Sequence, residues 1–116
     1  MDANIIAVAT IGGALALGAS SVSAIDINDE KLALASRLGA TRVFNSRSLS
    51  ADDIHNALSE SRFEQLVLET AGTPQTITLA IDIAGPRAQI ALVGTLHHDL
   101  NLPAVTFGKI LRKELT

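Results

Sequence analysis

Asp26 is the residue of this sequence whose type and position best suit ligand binding. It ends the apolar run Val22–Asp26, which carries no other charge and therefore favours a strand buried on both faces. In a dinucleotide-binding fold, an acid at the end of the second strand accepts hydrogen bonds from both ribose hydroxyls and repels a 2′-phosphate. The alternative is that Asp26 only caps the following helix together with its neighbours Asn28 and Asp29.

Gly12 is the one glycine that matches the pattern expected at the junction where a phosphate group would bind. Such a junction usually carries Gly-x-Gly-x-x-Gly, whose glycines allow a tight turn, close approach of the pyrophosphate and close packing of helix on strand. Here Ala7 and Ala9 occupy the first two glycine positions. Asp26 also follows Gly12 at a slightly shorter spacing than usual. The turn by itself therefore does not establish nucleotide binding.

Two further groups contain residue types that serve in catalysis or metal binding. Glu69 ends another apolar run, where a carboxylate is either a perturbed acid or an acceptor of hydrogen bonds from nearby backbone. His97 and His98 precede Asp99, which resembles a set of zinc ligands. Adjacent side chains of an extended chain point to opposite faces, however, so the sequence favours an exposed loop pair over a metal site.

Uncharged runs alternate with amphipathic segments along the chain. Strands are predicted at Asn4–Ala9, Val22–Asp26, Arg42–Asn45, Gln65–Glu69 and Gln89–Gly94. Helices are predicted after Gly12 and at Asp29–Leu38, Ser50–Ser61, Pro74–Ile83 and Ala104–Leu115. This alternation predicts an α/β fold, a doubly wound parallel sheet of about five strands in the order 3-2-1-4-5. A sixth strand is expected beyond Thr116, where the sequence stops.

The composition excludes several classes of protein. The 116 residues, 47% of them hydrophobic, suffice for one domain with a core, and we assign residues 1–116 to a single domain. The net charge of −3 lacks the basic surface that nucleic acids require. The absence of cysteine fits a reducing compartment. The apolar stretch Ile5–Ala19 has no preceding positive charge and is too short to cross a bilayer, so a cytoplasmic protein is expected, without membrane partners.

Segments throughout the chain resemble the medium-chain, zinc-type alcohol and polyol dehydrogenase family. Those similar to the family in general are Leu17–Val22, Ala24–Ile27, Glu30–Ala35, Leu38–Ala40, Leu68–Gly72 and Ala91–Gly94. Those similar to members that oxidise a sugar-alcohol phosphate are Phe63–Gly72, Ile83–Pro86, Ala91–His97 and Thr106–Thr116. The resemblance covers nearly the whole chain.

The resemblance implies a Rossmann-like, dinucleotide-binding domain of an enzyme that uses NAD and a catalytic zinc. The family's zinc ligands lie in a separate catalytic domain, which is absent here, so neither zinc nor a catalytic residue is assigned to this chain. Family roles carry over to seven cofactor-binding positions: Gly12, Asp26, Lys31, Thr70, Ala71, Val93 and Gly94. Asp26 would hold the adenosine ribose and Lys31 would border the adenine, while the residues from Thr70 onward would line the cofactor trough along the strand ends.

Two departures from the family predict that NAD binding is weak or lost. Alanines replace the first two glycines of the phosphate turn, and five residues separate Gly12 from Gly18. The family has roughly ten there, about three turns of the helix that aims its N-terminus at the pyrophosphate. We interpret the chain as the NAD-binding fragment of a polyol-phosphate dehydrogenase, inactive alone. The alternatives are a structural or oligomerisation remnant that no longer binds nucleotide, and a nucleotide-sensing module that needs a partner protein.

The outer edge of the last predicted strand, Gln89–Gly94, is expected to be unpaired. Neither proline nor charge interrupts it, and Ile90, Leu92 and Val93 flank it, so it could template another chain. Dimers of the family join cofactor domains edge to edge through their last strand. We therefore expect a two-fold symmetric homo-oligomer through this edge, with apolar helix faces exposed beside it.

Overall fold

The computed structural model describes residues 3–8, 21–59 and 64–116. Strands within these ranges are β1 (Ala3–Val8), β2 (Ser21–Asp26), β3 (Arg42–Asn45), β4 (Glu64–Glu69) and β5 (Gln89–Leu92). Helices are α1 (Asp29–Arg37), α2 (Ala51–Leu58), α3 (Pro74–Ile83) and α4 (Ala104–Arg112). Gly12 and the helix predicted after it lie outside the described residues.

All strand pairs of the sheet are parallel, and the strands lie in the order β3-β2-β1-β4-β5. The predicted α/β class with a parallel sheet is therefore confirmed. In the register, Val8 lies beside both Ile25 and Glu69, and Asp26 lies beside Asn45. The carboxyl ends of the strands consequently meet at one edge of the sheet. The chain moves from β1 to one side and later to the other, and ligands of such sheets bind where the strand order reverses.

Helices cover both faces of the sheet. Adjacent residues Ala24 and Ile25 of β2 point to opposite faces, yet each is only 1% exposed. Ala24 packs with Leu32 and Ala35 of α1. Ile25 belongs to the larger cluster on the other face, whose remaining buried members come from α2, β4, α3 and the residues after α3: Ile54, Leu58, Val67, Ala80, Ile83, Ala84 and Ala88. Burial on both faces explains why the sequence of β2 is apolar without alternation.

Polar side chains at the helix starts fix where α1, α2 and α3 begin. Asn28 caps α1, accepting hydrogen bonds from the N–H groups of Glu30 and Lys31. Ser50 and Thr73 form capping boxes with the third helical residues of α2 and α3. A capping box satisfies two backbone donors that have no partner within the helix. The predicted start at Ser50 was one residue early, because Ser50 is the cap.

Several predicted element ends were placed too far along the chain. The segments predicted to end at Leu38, Ser61 and Leu115 instead end as helices at Arg37, Leu58 and Arg112, and the last strand ends before Val93. Leu38, which the sequence places on the apolar stripe of α1, is 52% exposed because it follows the helix. Apolar residues in the turn after a helix extend the sequence pattern beyond the helix end, so the pattern places that end one or more residues too late.

The outer edge of β5 is partly paired, contrary to the expectation of an open edge. The N–H of Ile90 donates to the carbonyl oxygen of Thr116 at 2.8 Å, and the N–H of Thr116 donates to that of Ala88 at 3.1 Å. Leu115 packs against the larger core cluster, which brings the chain after α4 back to this edge. The first half of β5 is thus covered by the chain's own residues, while Leu92 remains 59% exposed.

Lys113 joins α4 to the C-terminal end of α3. Its Nζ donates to the carbonyl oxygens of Ala84, Asp82 and Ile81 at 2.7, 3.1 and 3.3 Å. Burial lowers the pKa of Lys113 below 10.5, and the nearby charge of Lys109 lowers it further, while Asp82 opposes this shift. α3 has no basic residue in its own last turn. A cation from α4 therefore supplies the charge that favours this helix end.

We expect the substitution Lys113→Met to lower the free energy of unfolding by about 1 kcal/mol. The methionine keeps the apolar stem but leaves three carbonyl oxygens without their donor. Urea unfolding followed by circular dichroism measures the change. Arg112→Met is the control, because Arg112 is an exposed neighbour on α4. Equal losses in the two variants would contradict the capping role.

Candidate functional site

A cleft of about 670 Å³ opens at the carboxyl ends of β2, β3 and β4. Its walls come from the turn after β2, from the loop between β3 and α2, and from the loop between β4 and α3. Three of the predicted cofactor-binding residues, Asp26, Lys31 and Ala71, line it. They come from different elements, so the fold rather than local sequence brings them together.

Asp26 holds the turn that leads from β2 into α1. Its Oδ1 accepts a hydrogen bond from the N–H of Asn28 at 2.9 Å, and its carbonyl oxygen accepts one from the N–H of Ser46 at 3.1 Å. The helix N–H groups are capped by Asn28 instead. Asn28 is therefore the N-cap of α1, Asp26 supports it through the bond to the Asn28 N–H, and ribose binding by Asp26 stays a prediction. Among the described residues no hydrogen bond reaches Oδ2, and Asp26 lines the cleft.

Asn45 braces the same turn from the neighbouring strand, a role that sequence reasoning missed. Its Nδ2 donates to Oδ1 of Asp29 at 2.7 Å, and its Oδ1 accepts from the N–H of Arg47 at 2.8 Å. Asn45 lies directly beside Asp26 in the sheet. A polar residue at the end of an apolar strand was the available signal, because such a residue must find partners at the sheet edge.

Lys31 and Asp26 place opposite charges on one wall of the cleft. Lys31 lies in the first turn of α1, where its N–H donates to Oδ1 of Asn28 at 3.2 Å, and it is exposed. A carboxylate accepts hydrogen bonds from hydroxyl groups, whereas an ammonium group only donates. This wall therefore suits a ligand with neighbouring hydroxyl groups and an acceptor-rich ring or anion.

Val93 and Gly94 lie just beyond β5 and are not among the described residues that line the cleft. The N–H groups of both donate to the carbonyl oxygen of Glu69, at 2.8 and 3.2 Å. Thr70 is half-buried at the end of β4. These residues thus gather around the end of β4, between the cleft and β5.

Gly72 and Gly94 allow the loops after β4 and β5 to lie in direct backbone contact. A Cβ at Gly94 would lie 2.3 Å from the nitrogen of Gly72. A Cβ at Gly72 would lie 2.5 Å from the carbonyl oxygen of Thr95, and its φ of +69° also disfavours other residues. Gly72 was not among the predicted site residues, although its place directly after Ala71 was a usable signal.

Glu69 is fully buried and hydrogen-bonded. Its Oε1 accepts from the N–H of Gly72 at 2.7 Å and from the hydroxyl of Thr76 at 2.8 Å. Of the two roles considered from the sequence, the carboxylate that accepts hydrogen bonds from nearby backbone is the one that the structure shows.

His97 and His98 are exposed in the loop between β5 and α4. Within residues 21–59 and 64–116, no group of three or more histidine, cysteine, aspartate or glutamate side chains could hold a metal ion. The described residues therefore do not fit a zinc site. No helix in the described part of the chain is long and apolar enough to cross a membrane.

Comparison with known proteins assigns the family. Residues 6–116 match the model of the zinc-binding dehydrogenases. The chain is 61% identical, over all 116 residues, to galactitol 1-phosphate 5-dehydrogenase of Escherichia coli K12, of which it covers 34%. It is 32% identical to D-xylulose reductase of Scheffersomyces stipitis over 100 residues, which are 85% of this chain and 26% of that enzyme.

A solved structure agrees with this assignment. The crystal structure of galactitol-1-phosphate dehydrogenase from Escherichia coli matches 99% of this chain and 35% of its own, with a TM-score of 0.94 and 56% identity. The chain thus spans about a third of the length of these relatives. It belongs to the zinc-binding dehydrogenase family, as its resemblance predicted, and it is similar to the Rossmann-like segment of galactitol-1-phosphate dehydrogenase.

Proposed function

We propose that this chain is the NAD-binding domain of a zinc-dependent polyol-phosphate dehydrogenase. The observation that carries the proposal is the cleft that Asp26, Lys31 and Ala71 line from three different elements. Parallel α/β sheets bind dinucleotides at this edge, outside the carboxyl ends of the strands. The family of the chain supports the same ligand, since dehydrogenases transfer hydride to or from a cofactor.

The described residues fit the adenosine half of NAD. Asp26 accepts hydrogen bonds from the ribose hydroxyls, and Lys31 borders the adenine. Ser46 and Ser50, which also line the cleft, offer hydroxyl groups to the ring or the ribose. Bound NAD supplies the hydride acceptor for alcohol oxidation. The residues described here bind and orient it, and they include no ligand set through which zinc could act.

The substrate of the whole protein follows from the relatives rather than from the cleft. The relative with 61% identity is named galactitol 1-phosphate 5-dehydrogenase. This supports a sugar-alcohol phosphate as the substrate class, which parts of the protein beyond this chain would bind. We also propose a cytoplasmic location, because phosphorylated sugar alcohols and NAD are charged molecules that do not cross membranes unaided.

Fluorescence titration with NADH tests the proposed function. We expect enhancement of the NADH emission that saturates in the micromolar range, because holding the adenosine half in the cleft separates the adenine from the nicotinamide, whose emission the stacked adenine quenches in the free cofactor. Absence of enhancement up to millimolar NADH would support the alternative of a structural remnant that no longer binds nucleotide. An intact circular-dichroism spectrum in the same sample excludes unfolding as the cause.

We expect the 116-residue chain alone to show no dehydrogenase activity. Oxidation of an alcohol by this family requires a Lewis acid beside the alcohol oxygen. The sequence has no cysteine, and the described residues form no zinc-ligand set. An assay with galactitol 1-phosphate, NAD and zinc should remain at background. Turnover that follows the protein through successive purification steps would contradict this expectation.

We propose that copies of the chain associate through the surface beside β5. Exposed apolar side chains lie there: Leu92 at the end of the strand is 59% exposed and Val93 directly after it is 66% exposed. Apolar patches of this kind mark interaction surfaces. We expect light scattering after size exclusion, at tens of micromolar protein, to report a dimer or larger assembly. A constant mass of 12.1 kDa across a tenfold dilution would contradict it.

A further inference from the structure

Glu69 connects the interior of the sheet to the wall of the cleft. It is 0% exposed, at the carboxyl end of β4. Its Oε1 accepts hydrogen bonds from the N–H of Gly72 and the hydroxyl of Thr76. Thr76 and Thr73 both line the cleft, whereas Glu69 does not. A buried carboxylate thus contacts residues that a bound ligand would touch.

The hydroxyl protons of Thr73 and Thr76 can be assigned from the distances. The hydroxyl oxygens of Thr73 and Thr76 lie 2.7 Å apart, and a hydroxyl has a single proton to donate. The Thr76 hydroxyl lies closer to Oε1 of Glu69, at 2.8 Å, than to the carbonyl oxygen of Thr73, at 3.1 Å, so we assign its proton to Glu69, and Thr73 then donates to Thr76. The N–H of Thr76 in turn donates to the Thr73 hydroxyl at 3.1 Å. The carboxylate therefore fixes both hydroxyl groups in one orientation at the start of α3.

The main chain of Glu69 fixes the loop after β5. Its carbonyl oxygen accepts from the N–H groups of Val93 and Gly94. Gly94 lies against Gly72, so the two loops cannot shift independently. One residue consequently holds residues 70–73 with its side chain and residues 93–94 with its backbone.

We infer that Glu69 is a positioning residue for dinucleotide binding, acting through Gly72 and Thr76. The inference rests on the proposed function. Oε2 of Glu69 is buried and has no hydrogen-bond partner within the described residues. Burying such an oxygen carries a free-energy cost that an apolar side chain would avoid. The required feature is the acceptor at Oε1, which orders the loop.

Two substitutions of Glu69 separate the acceptor from the charge. Glu69→Gln keeps an oxygen that can accept both hydrogen bonds, whereas Glu69→Met fills similar space without an acceptor. We expect Glu69→Met to weaken NADH binding about tenfold, because the hydrogen bonds that order the wall lose their acceptor. We expect Glu69→Gln to stay within about threefold of the unmodified chain.

A control variant distinguishes positioning from general stability. Leu58→Ala removes buried side-chain volume at the far end of α2 and should destabilise the chain without altering NADH affinity. Should Glu69→Met fail to fold, Thr76→Val removes the hydroxyl and Thr76→Ser retains it. We expect the valine variant to bind NADH more weakly than the serine variant.

Amide hydrogen exchange without ligand tests the positioning independently of NAD binding. We expect Glu69→Met to raise the ratio of the exchange rate of the Gly72 amide to that of the amide of Val67, a buried residue of β4. We expect Glu69→Gln to leave this ratio unchanged. If the unmodified chain does not bind NADH, the proposed function fails, while the exchange ratio still supports or overturns the loop ordering. Unchanged exchange at Gly72 together with unchanged NADH affinity in Glu69→Met would overturn the inference.

Discussion

Replacement of Gly94 by alanine is expected to destabilise the chain by about 3 kcal/mol, near the upper range for overpacking. The added Cβ would lie 2.3 Å from the nitrogen and 2.7 Å from the Cα of Gly72. Both are backbone atoms that cannot rotate away as a side-chain end could. Relief requires the loops after β4 and β5 to separate, which also breaks their hydrogen bonds to Glu69. Urea unfolding followed by circular dichroism measures the loss.

Gly108→Ala is the matched control for this prediction. Gly108 lies within α4, and a Cβ there would meet only the Arg112 side chain, at 3.5 Å or more. Glycine inside a helix costs roughly 0.5–1 kcal/mol relative to alanine, so this variant should be slightly more stable than the unmodified chain. Similar destabilisation in both variants would show that the contact between the two loops is not tight.

Asp26→Ser is expected to abolish the preference for NAD over NADP. In the proposed role the carboxylate accepts hydrogen bonds from the ribose hydroxyls and repels a 2′-phosphate, while a serine can donate to that phosphate. We expect NAD affinity to fall about tenfold and the ratio of NAD to NADP affinity to fall about a hundredfold. Lys31 on the cleft wall supplies a cation for the phosphate. Competition of each oxidised cofactor against NADH fluorescence measures both affinities.

Glu30→Gln is the control for Asp26→Ser. Glu30 carries the same charge in the first turn of α1 but is not among the described residues lining the cleft. Loss of its charge should change the cofactor preference by less than about threefold, because exposed charges are screened. If the unmodified chain binds NADP with the same affinity as NAD, Asp26 does not contact the ribose.

The inner part of the sheet could be predicted because β2 is buried on both faces. Burial of adjacent residues such as Ala24 and Ile25 requires uncharged runs, and those runs are visible in the sequence. Helix starts were predictable for a related reason, since capping is local: Asn28 and Thr73 bond backbone groups within three residues. The order of elements then limits the topology to a few arrangements.

Contacts between distant elements could not be predicted. Lys113 follows α4, yet it caps the end of α3. Thr116 pairs with β5, which no local pattern indicates. Asp26, Lys31 and Ala71 meet in the cleft as the resemblance implies, whereas Val93 and Gly94 lie beside β4 and Gly12 lies outside the described residues. Hydrogen bonds between elements depend on the fold, not on neighbouring sequence.

The measurement that tests the central claim most directly is a titration of the isotope-labelled chain with NAD, followed by amide chemical shifts. We expect saturable shifts in three segments, residues 26–31, 46–51 and 70–76, which together form the cleft. Amides at the opposite end of the sheet, such as that of Leu58, should not move. Saturable shifts confined to residues outside these segments, or no shifts up to millimolar NAD, would contradict the assignment of the cleft as the cofactor site.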